Sequence, residues 1–157
     1  MIVKESNIFG NLSEEELNDF ETANQVKLPA EYRSFLLENN GGVPINQLNQ
    51  SPQTIVTYIF GMHNGDYYAS LYKHIDMFNT RLPLSCFPIA SDPFGNLFIM
   101  SLHTENYGQI FFWDHEGEPE EQNGHYIDNV SFVSYSFDKF LKDLKLVAAK
   151  KRSSYFL

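Results

Sequence analysis

Residues 87–113 read FPIASDPFGNLFIMSLHTENYGQIFFW, and this stretch decides the fold. Three apolar runs (Phe87 to Ala90, Leu97 to Leu102, Ile110 to Trp113) are separated by two turn signals. In Ser91-Asp92-Pro93-Phe94-Gly95-Asn96 the turn chemistry stands in order: Asp is favoured first, Pro second, and Gly fourth, where a positive φ costs little. The second break, His103 to Gln109, ends in Tyr107-Gly108 and is long enough for an open hairpin loop. The pattern predicts three consecutive antiparallel strands at the centre of a sheet. In the middle run both alternate sets are apolar (Phe98, Met100 and Leu102; Leu97 and Ile99), so both sheet faces are expected to be covered.

On the N-terminal side, Leu12-Ser13-Glu14-Glu15-Glu16-Leu17 is a helix start. Ser13 and Glu16 have capping-box spacing, and Leu12 and Leu17 occupy the staple positions. The three glutamates favour the positive end of the helix dipole, so capping accounts for them without a functional role. Leu28-Pro29 opens a second helix with Pro at its first position. Tyr32, Phe35 and Leu36 form its apolar face, and Asn39-Asn40-Gly41-Gly42 stops it, with a glycine in the left-handed cap. Pro44 to Gln53 reads as a polar loop and Thr54 to Phe60 (TIVTYIF) as one strand. After a turn at His63-Asn64-Gly65, Asp66 is expected to cap a helix carrying Leu71, Tyr72, Ile75 and Phe78, which Leu82-Pro83 ends.

On the C-terminal side, Asp114 to Gly124 is an acidic loop. His125 to Asp128 and Ser131 to Ser136 are expected to close the sheet. Phe137, Phe140, Leu141 and Leu144 then describe an amphipathic terminal helix capped by Ser136, with late lysines suited to its negative end. The tail, Ser153 to Leu157, is expected to fray unless Tyr155 and Phe156 dock. Leu17, Phe20, Tyr32, Phe35, Ile99, Phe112, Phe140 and Leu144 are expected in one core, and a positive φ is expected at Gly42 or Gly95. The fold class is therefore α+β: a central, mainly antiparallel sheet flanked by an N-terminal helix pair and a C-terminal helix.

The 157 residues fit a single domain, residues 1–157, large enough to bury roughly 70% of its unfolded surface. With 14 Phe, 9 Tyr and 1 Trp it has ample material for a core. The lone Cys86 excludes an internal disulfide and, beside Phe87, reads as a small buried hydrophobe rather than a nucleophile. MIVKESNIFG lacks the pattern of a signal peptide, and no apolar run approaches the ~20 residues of a membrane span, so a cytoplasmic location is expected. The net charge of −9 is uneven: residues 142–157 hold five basic residues and one acid, leaving −13 on the other 141 residues. Such a body repels nucleic acid and anionic membrane and attracts a basic partner, besides aiding solubility.

Chemistry-bearing motifs are few. There is no phosphate-cradling glycine loop, no nucleophile elbow and no paired metal-ligand spacing. On a strand, Asp114 and Glu116 would face away from His115, which falls short of the three convergent ligands a divalent ion normally needs. No metal, cofactor or catalytic residue is expected. The other histidines, His63, His74, His103 and His125, are scattered.

Four blocks, in order, resemble those of the SUKH superfamily, a Smi/Knr-like family named partly for a fungal regulator of cell-wall synthesis. LPAEYRSFLLENNGGVP resembles its "LP-x-x-Y-x-x-F-L…N-G-G" signature, and PIASDPFGNLFIMSL its "I-x-x-D-x-x-G-N" block. GQIFFWDHE resembles the following strand with "W-D-H-E", and SFVSYSFDKFLKDL the terminal "S-F-x-x-F-L" helix. The resemblance implies an α+β fold and a binding role. Bacterial members are mostly immunity proteins that neutralise a cognate toxin, often a nuclease, and no catalytic set carries over. The expected function is thus protein binding: immunity through a basic toxin domain or, alternatively, a regulatory scaffold of the cell-wall-regulator type. A hydrolytic or small-molecule enzyme is the least favoured class. Glu116, Glu118, Glu120 and Glu121, which neither capping nor packing requires, are the expected partner contacts, with Asp114, Asp92 and Asn96 at motif positions.

Overall fold

The computed structural model of the protein describes residues 2–117 and 128–147. After a short strand β1 (Val3–Lys4), helix α1 (Glu14–Asn24) starts at the expected capping box. The Glu16 N–H donates to Ser13 Oγ at 3.1 Å, and the Ser13 N–H donates to Glu16 Oε1 at 3.3 Å. Helix α2 (Ala30–Glu38) begins one residue later than the proline spacing predicts, with Pro29 as its cap. The Pro29 carbonyl accepts the N–H groups of Tyr32 and Arg33 at 3.1 and 3.0 Å, so the ladder starts there.

Next come β2 (Val43–Pro44), which pairs with β1, and the hairpin β3 (Leu48–Gln50) and β4 (Gln53–Ile55). Strand β5 (Tyr58–Ile59), helix α3 (Leu71–Phe78) and strands β6 (Cys86–Ser91), β7 (Leu97–Ser101), β8 (Ile110–Trp113) and β9 (Val130–Ser134) follow, and helix α4 (Phe137–Asp143) is the last element among the described residues. Strands β5 to β9 form one antiparallel sheet in sequence order.

The quoted stretch folds as the central hairpins of that sheet. All five residues of β7 are buried, because helices cover both faces. On one face Phe98 sits opposite Phe112 in the register and meets Phe140 of α4, with ring centroids 5.1 Å apart. Tyr32 and Phe35 of α2 close the same face through edge contacts of 5.0 Å with Phe137. On the other face Trp113 meets Phe78 of α3 at 5.5 Å. The chain is α+β, with its helical pair at the N-terminal side and α4 at the C-terminal side. Of the expected core set only Phe20 is half-buried; the others are buried.

Several local expectations change. Thr54 to Phe60 is not one strand: Thr54 and Ile55 pair with β3, whereas Tyr58 and Ile59 pair with β6. The chain exchanges partners at Val56 and Thr57, whose N–H groups go to Gln47 O and Ser91 O, each at 2.8 Å. The segment expected to be a loop before it contributes β2 and β3, and β3 is tied to the end of α4 by reciprocal 2.9 Å bonds between Leu48 and Lys145. Asp66 makes no side-chain cap; a single 3-10 turn (Tyr67–Ala69) follows it, and Ser70 caps α3 by accepting the Lys73 N–H at 3.2 Å. The closing strand spans Val130–Ser134, and residues 125–127 and the tail lie outside the described residues.

The helix stop Asn39-Asn40-Gly41-Gly42 does more than end α2. Buried Asn40 donates its side-chain amide to Gly10 O and Met62 O, accepts Met62 N–H, and donates its own N–H to Asn7 Oδ1. Gly41, not Gly42, holds the positive φ (87°), and a Cβ there would lie 2.8 Å from Gly61 N. At Gly42 the constraint is closeness instead: a Cβ would lie 2.9 Å from Lys4 O. Gly95 holds the expected positive φ, at 86°.

Candidate protein-binding surface

The β6–β7 turn is built around the Asp92 carboxylate. Its Oδ1 accepts the N–H groups of Phe94 and Asn96, each at 2.9 Å. Its Oδ2 accepts Asn96 Nδ2 at 3.0 Å and the Thr54 hydroxyl at 2.9 Å. A short polar side chain that bonds to backbone N–H groups ahead of it replaces part of a strand ladder with a fixed turn. Asp92 is only 6% exposed, and both oxygens are engaged inside the chain. Asp92 thus organises the turn from within the chain.

Asn96 likewise turns inward. It donates to Asp92, and its Oδ1 accepts the His115 N–H at 3.1 Å. His115 in turn donates from Nε2 to the Phe94 carbonyl at 2.7 Å; a carbonyl only accepts, so the ring proton sits on Nε2. The two blocks around Asp92 and Trp113 thus clasp each other across the sheet end. At Gly95 a Cβ would stand 3.3 Å from His115 Nε2, so the clasp leaves little room there.

Asp114 and Glu116 leave β8 at this same end. Asp114 Oδ1 accepts the Glu116 N–H at 3.0 Å, and Asp114 O accepts Asn129 Nδ2 at 2.9 Å and Gly117 N–H at 3.1 Å. Residues His115–Gly117 form one 3-10 turn rather than a strand continuation, with Asp114 half-buried and Glu116 exposed. Glu118, Glu120 and Glu121 lie outside the described residues.

Sequence reasoning missed Phe94. Its N–H is held by Asp92 and its carbonyl by His115, yet the residue is 72% exposed. An aromatic ring held out on an immobilised turn loses little further freedom on binding, which is the property of an interface anchor. One signal was available: the turn D-P-F-G-N requires Asp, Pro and Gly, but nothing in its geometry requires Phe. With Asp114 and Glu116 beside it, the sheet end combines an apolar anchor with acidic neighbours.

Among the described residues no three His, Cys, Asp or Glu side chains group as a metal site, and no helix is long and apolar enough to cross a membrane. Burial pushes the Cys86 thiol up to about 11, partly offset by a Ser101 hydrogen bond, so it stays protonated at neutral pH.

A family model described as SMI1 / KNR4 family (SUKH-1) matches residues 11–143. That span runs from just before the α1 capping box to the end of α4 and includes both blocks of the sheet-end clasp. Comparison with curated proteins finds no match. The matched span covers most of the 157 residues and takes in all four sequence blocks but the final Leu144, and the chain belongs to the SMI1/KNR4 (SUKH-1) family.

Proposed function

We propose that the protein is an immunity protein that neutralises a toxin by binding it directly, through the sheet end bearing Phe94, Asp114 and Glu116, with Glu118, Glu120 and Glu121, which follow in the sequence, as further contacts. The observation that carries this reading is Phe94, 72% exposed on a turn fixed from both sides by Asp92 and by His115, the latter between Asp114 and Glu116 in the sequence. The family includes toxin immunity proteins and SMI1/KNR4 regulators, and is generally non-catalytic. A charge of −13 outside the C-terminal sixteen residues favours the first role, with a toxin whose phosphate-binding cleft is basic, as in a nuclease. Acidic side chains in such a cleft replace the phosphates it is built to hold.

The test is protection. Cells producing the toxin domain encoded beside this gene are expected to survive when they also make this protein, and the two proteins to co-purify. Phe94→Ala should weaken the complex at least about tenfold while leaving the melting temperature nearly unchanged, since the residue is already 72% exposed. A folded protein that neither protects nor binds overturns immunity. Capture of an endogenous enzyme or signalling protein in its place would assign the regulatory role.

A further inference from the structure

A second surface lies between α1 and α3. Five α1 residues, from Glu16 to Asn24, recur at i, i+3, i+4, i+7 and i+8, so they form one stripe about 12 Å long. Tyr72, Ile75 and Asp76 of α3 form the facing wall, and the trough between them measures about 460 Å³. Its floor holds Phe20 and Tyr72, stacked with centroids 6.0 Å apart and both half-buried. The small side chain of Ala23 leaves the middle of the trough open. Its charged lining residues are Glu16, Asp19 and Asp76, all acidic, with no lysine or arginine among them.

Helix capping explains Glu14 to Glu16, but Asp19 and Asp76 cap nothing and lie beyond the first turns of their helices. A smaller recess of about 160 Å³ shares Phe20, Asn24 and Ile75 with the trough and continues it to Phe87 and Leu102. Phe87 and Leu102 lie at the end of the β6–β7 hairpin opposite the Asp92 turn, some 17 Å away along the strand. The trough and the Phe94 surface therefore admit separate contacts.

We propose that this trough docks a cationic amphipathic helix of a protein partner. Lining residues from two helices, with the half-buried rings of Phe20 and Tyr72 between them, fit the ridge of a third helix. That helix would seat aliphatic or aromatic residues on Phe20, Tyr72 and Ile75 and carry lysine or arginine to Asp19 and Asp76. The proposal rests on the reading that this chain binds a basic protein, and it adds a contact that the Phe94 surface does not supply.

The test needs no toxin. A synthetic peptide of about 14 residues, alternating leucine and lysine at helical spacing, is titrated into isotope-labelled protein and followed by amide chemical shifts. A leucine/glutamate peptide of the same pattern serves as the control. Saturable shifts confined to α1, α3 and the Leu102 region are expected with the cationic peptide alone. Asp19→Lys with Asp76→Lys should weaken binding at least about tenfold, and Ala23→Trp, which fills the trough from an exposed position, should abolish it. Absent shifts, shifts spread over every acidic surface, or binding that survives Ala23→Trp would overturn the proposal. Cell protection by the Asp19→Lys/Asp76→Lys variant is scored separately: intact protection with lost peptide binding removes the trough from immunity and leaves the Phe94 reading standing.

Discussion

At the scale of single residues, stability depends on positions where a side chain, or its absence, serves several strands at once. Gly41 has φ 87°, and a Cβ would meet both Gly61 N and Ile59 O within 3 Å. Gly41→Val combines a left-handed backbone with a backbone collision, so its cost in chemical denaturation should exceed the ~1 kcal/mol of an ordinary glycine replacement. An unchanged midpoint would mean that α2 and β5 do not approach as described. His74 is a second such position. It is 3% exposed and stacks between Phe60 and Tyr67 at 3.8 and 4.3 Å, and its Nδ1 donates to Ser70 O at 2.8 Å. Burial holds its pKa below the ordinary histidine value, so the folded state favours the neutral ring. A depressed histidine contributes full stability above its unfolded pKa near 6.5 and loses it as pH falls below that value. His63, lowered by burial as well, adds to the same slope. The melting temperature should fall between pH 7 and pH 5, and His74→Phe should flatten that fall; equal slopes in both proteins would remove His74 as its cause.

At the scale of elements, caps decide where helices begin. The α1 box was legible because Ser13 and Glu16 satisfy each other within four residues of chain. The α3 start was not. Asp66 has cap composition too, but Ser70 does the capping, because its hydroxyl also donates to the His63 carbonyl at 2.7 Å and it sits fully buried beside β5. Ser70→Ala should therefore cost about 1–2 kcal/mol, combining a lost cap with a stranded carbonyl. Asp66→Ala should stay within about 0.5 kcal/mol. Denaturation curves of the two variants compare them directly, and a larger loss at Asp66 would return the cap to the position that composition favours. Strand boundaries obey the same rule. Nothing local in TIVTYIF marks Val56, where the chain leaves one partner for another.

At the scale of the whole molecule, charge acts over distance. A body of −13 attracts a basic partner before any contact forms, and the sequence from Glu116 to Glu121 holds four glutamates within six residues. Changing Glu116, Glu118, Glu120 and Glu121 to glutamine preserves their size and removes their charge. With a purified basic toxin domain, association of this variant should be slowed by about tenfold at low salt and by much less at high salt. Equal association rates at low salt would leave the segment a solubility feature. Dissociation should change little, since rim charges act mainly on encounter whereas an anchor such as Phe94 acts on residence time.

The central hairpins, the capping box, the terminal helix and the double cover of the sheet could be read from the sequence alone. Each rests on interactions between residues close in the chain, or on a period that the backbone geometry imposes. The family blocks could be read for the same reason: they are turn, cap and core chemistry. Tertiary structure alone decided what those blocks do to one another. Asp92 and Asn96 have the composition of a polar surface, and only the approach of Thr54 and His115, 38 and 19 positions away, turns them inward. The same clasp holds Phe94 out to solvent, and α1 and α3 together line the acidic-rimmed trough. Local pattern records how a residue can bond to its neighbours; burial depends on which distant segment arrives, and that is settled only when the whole core closes.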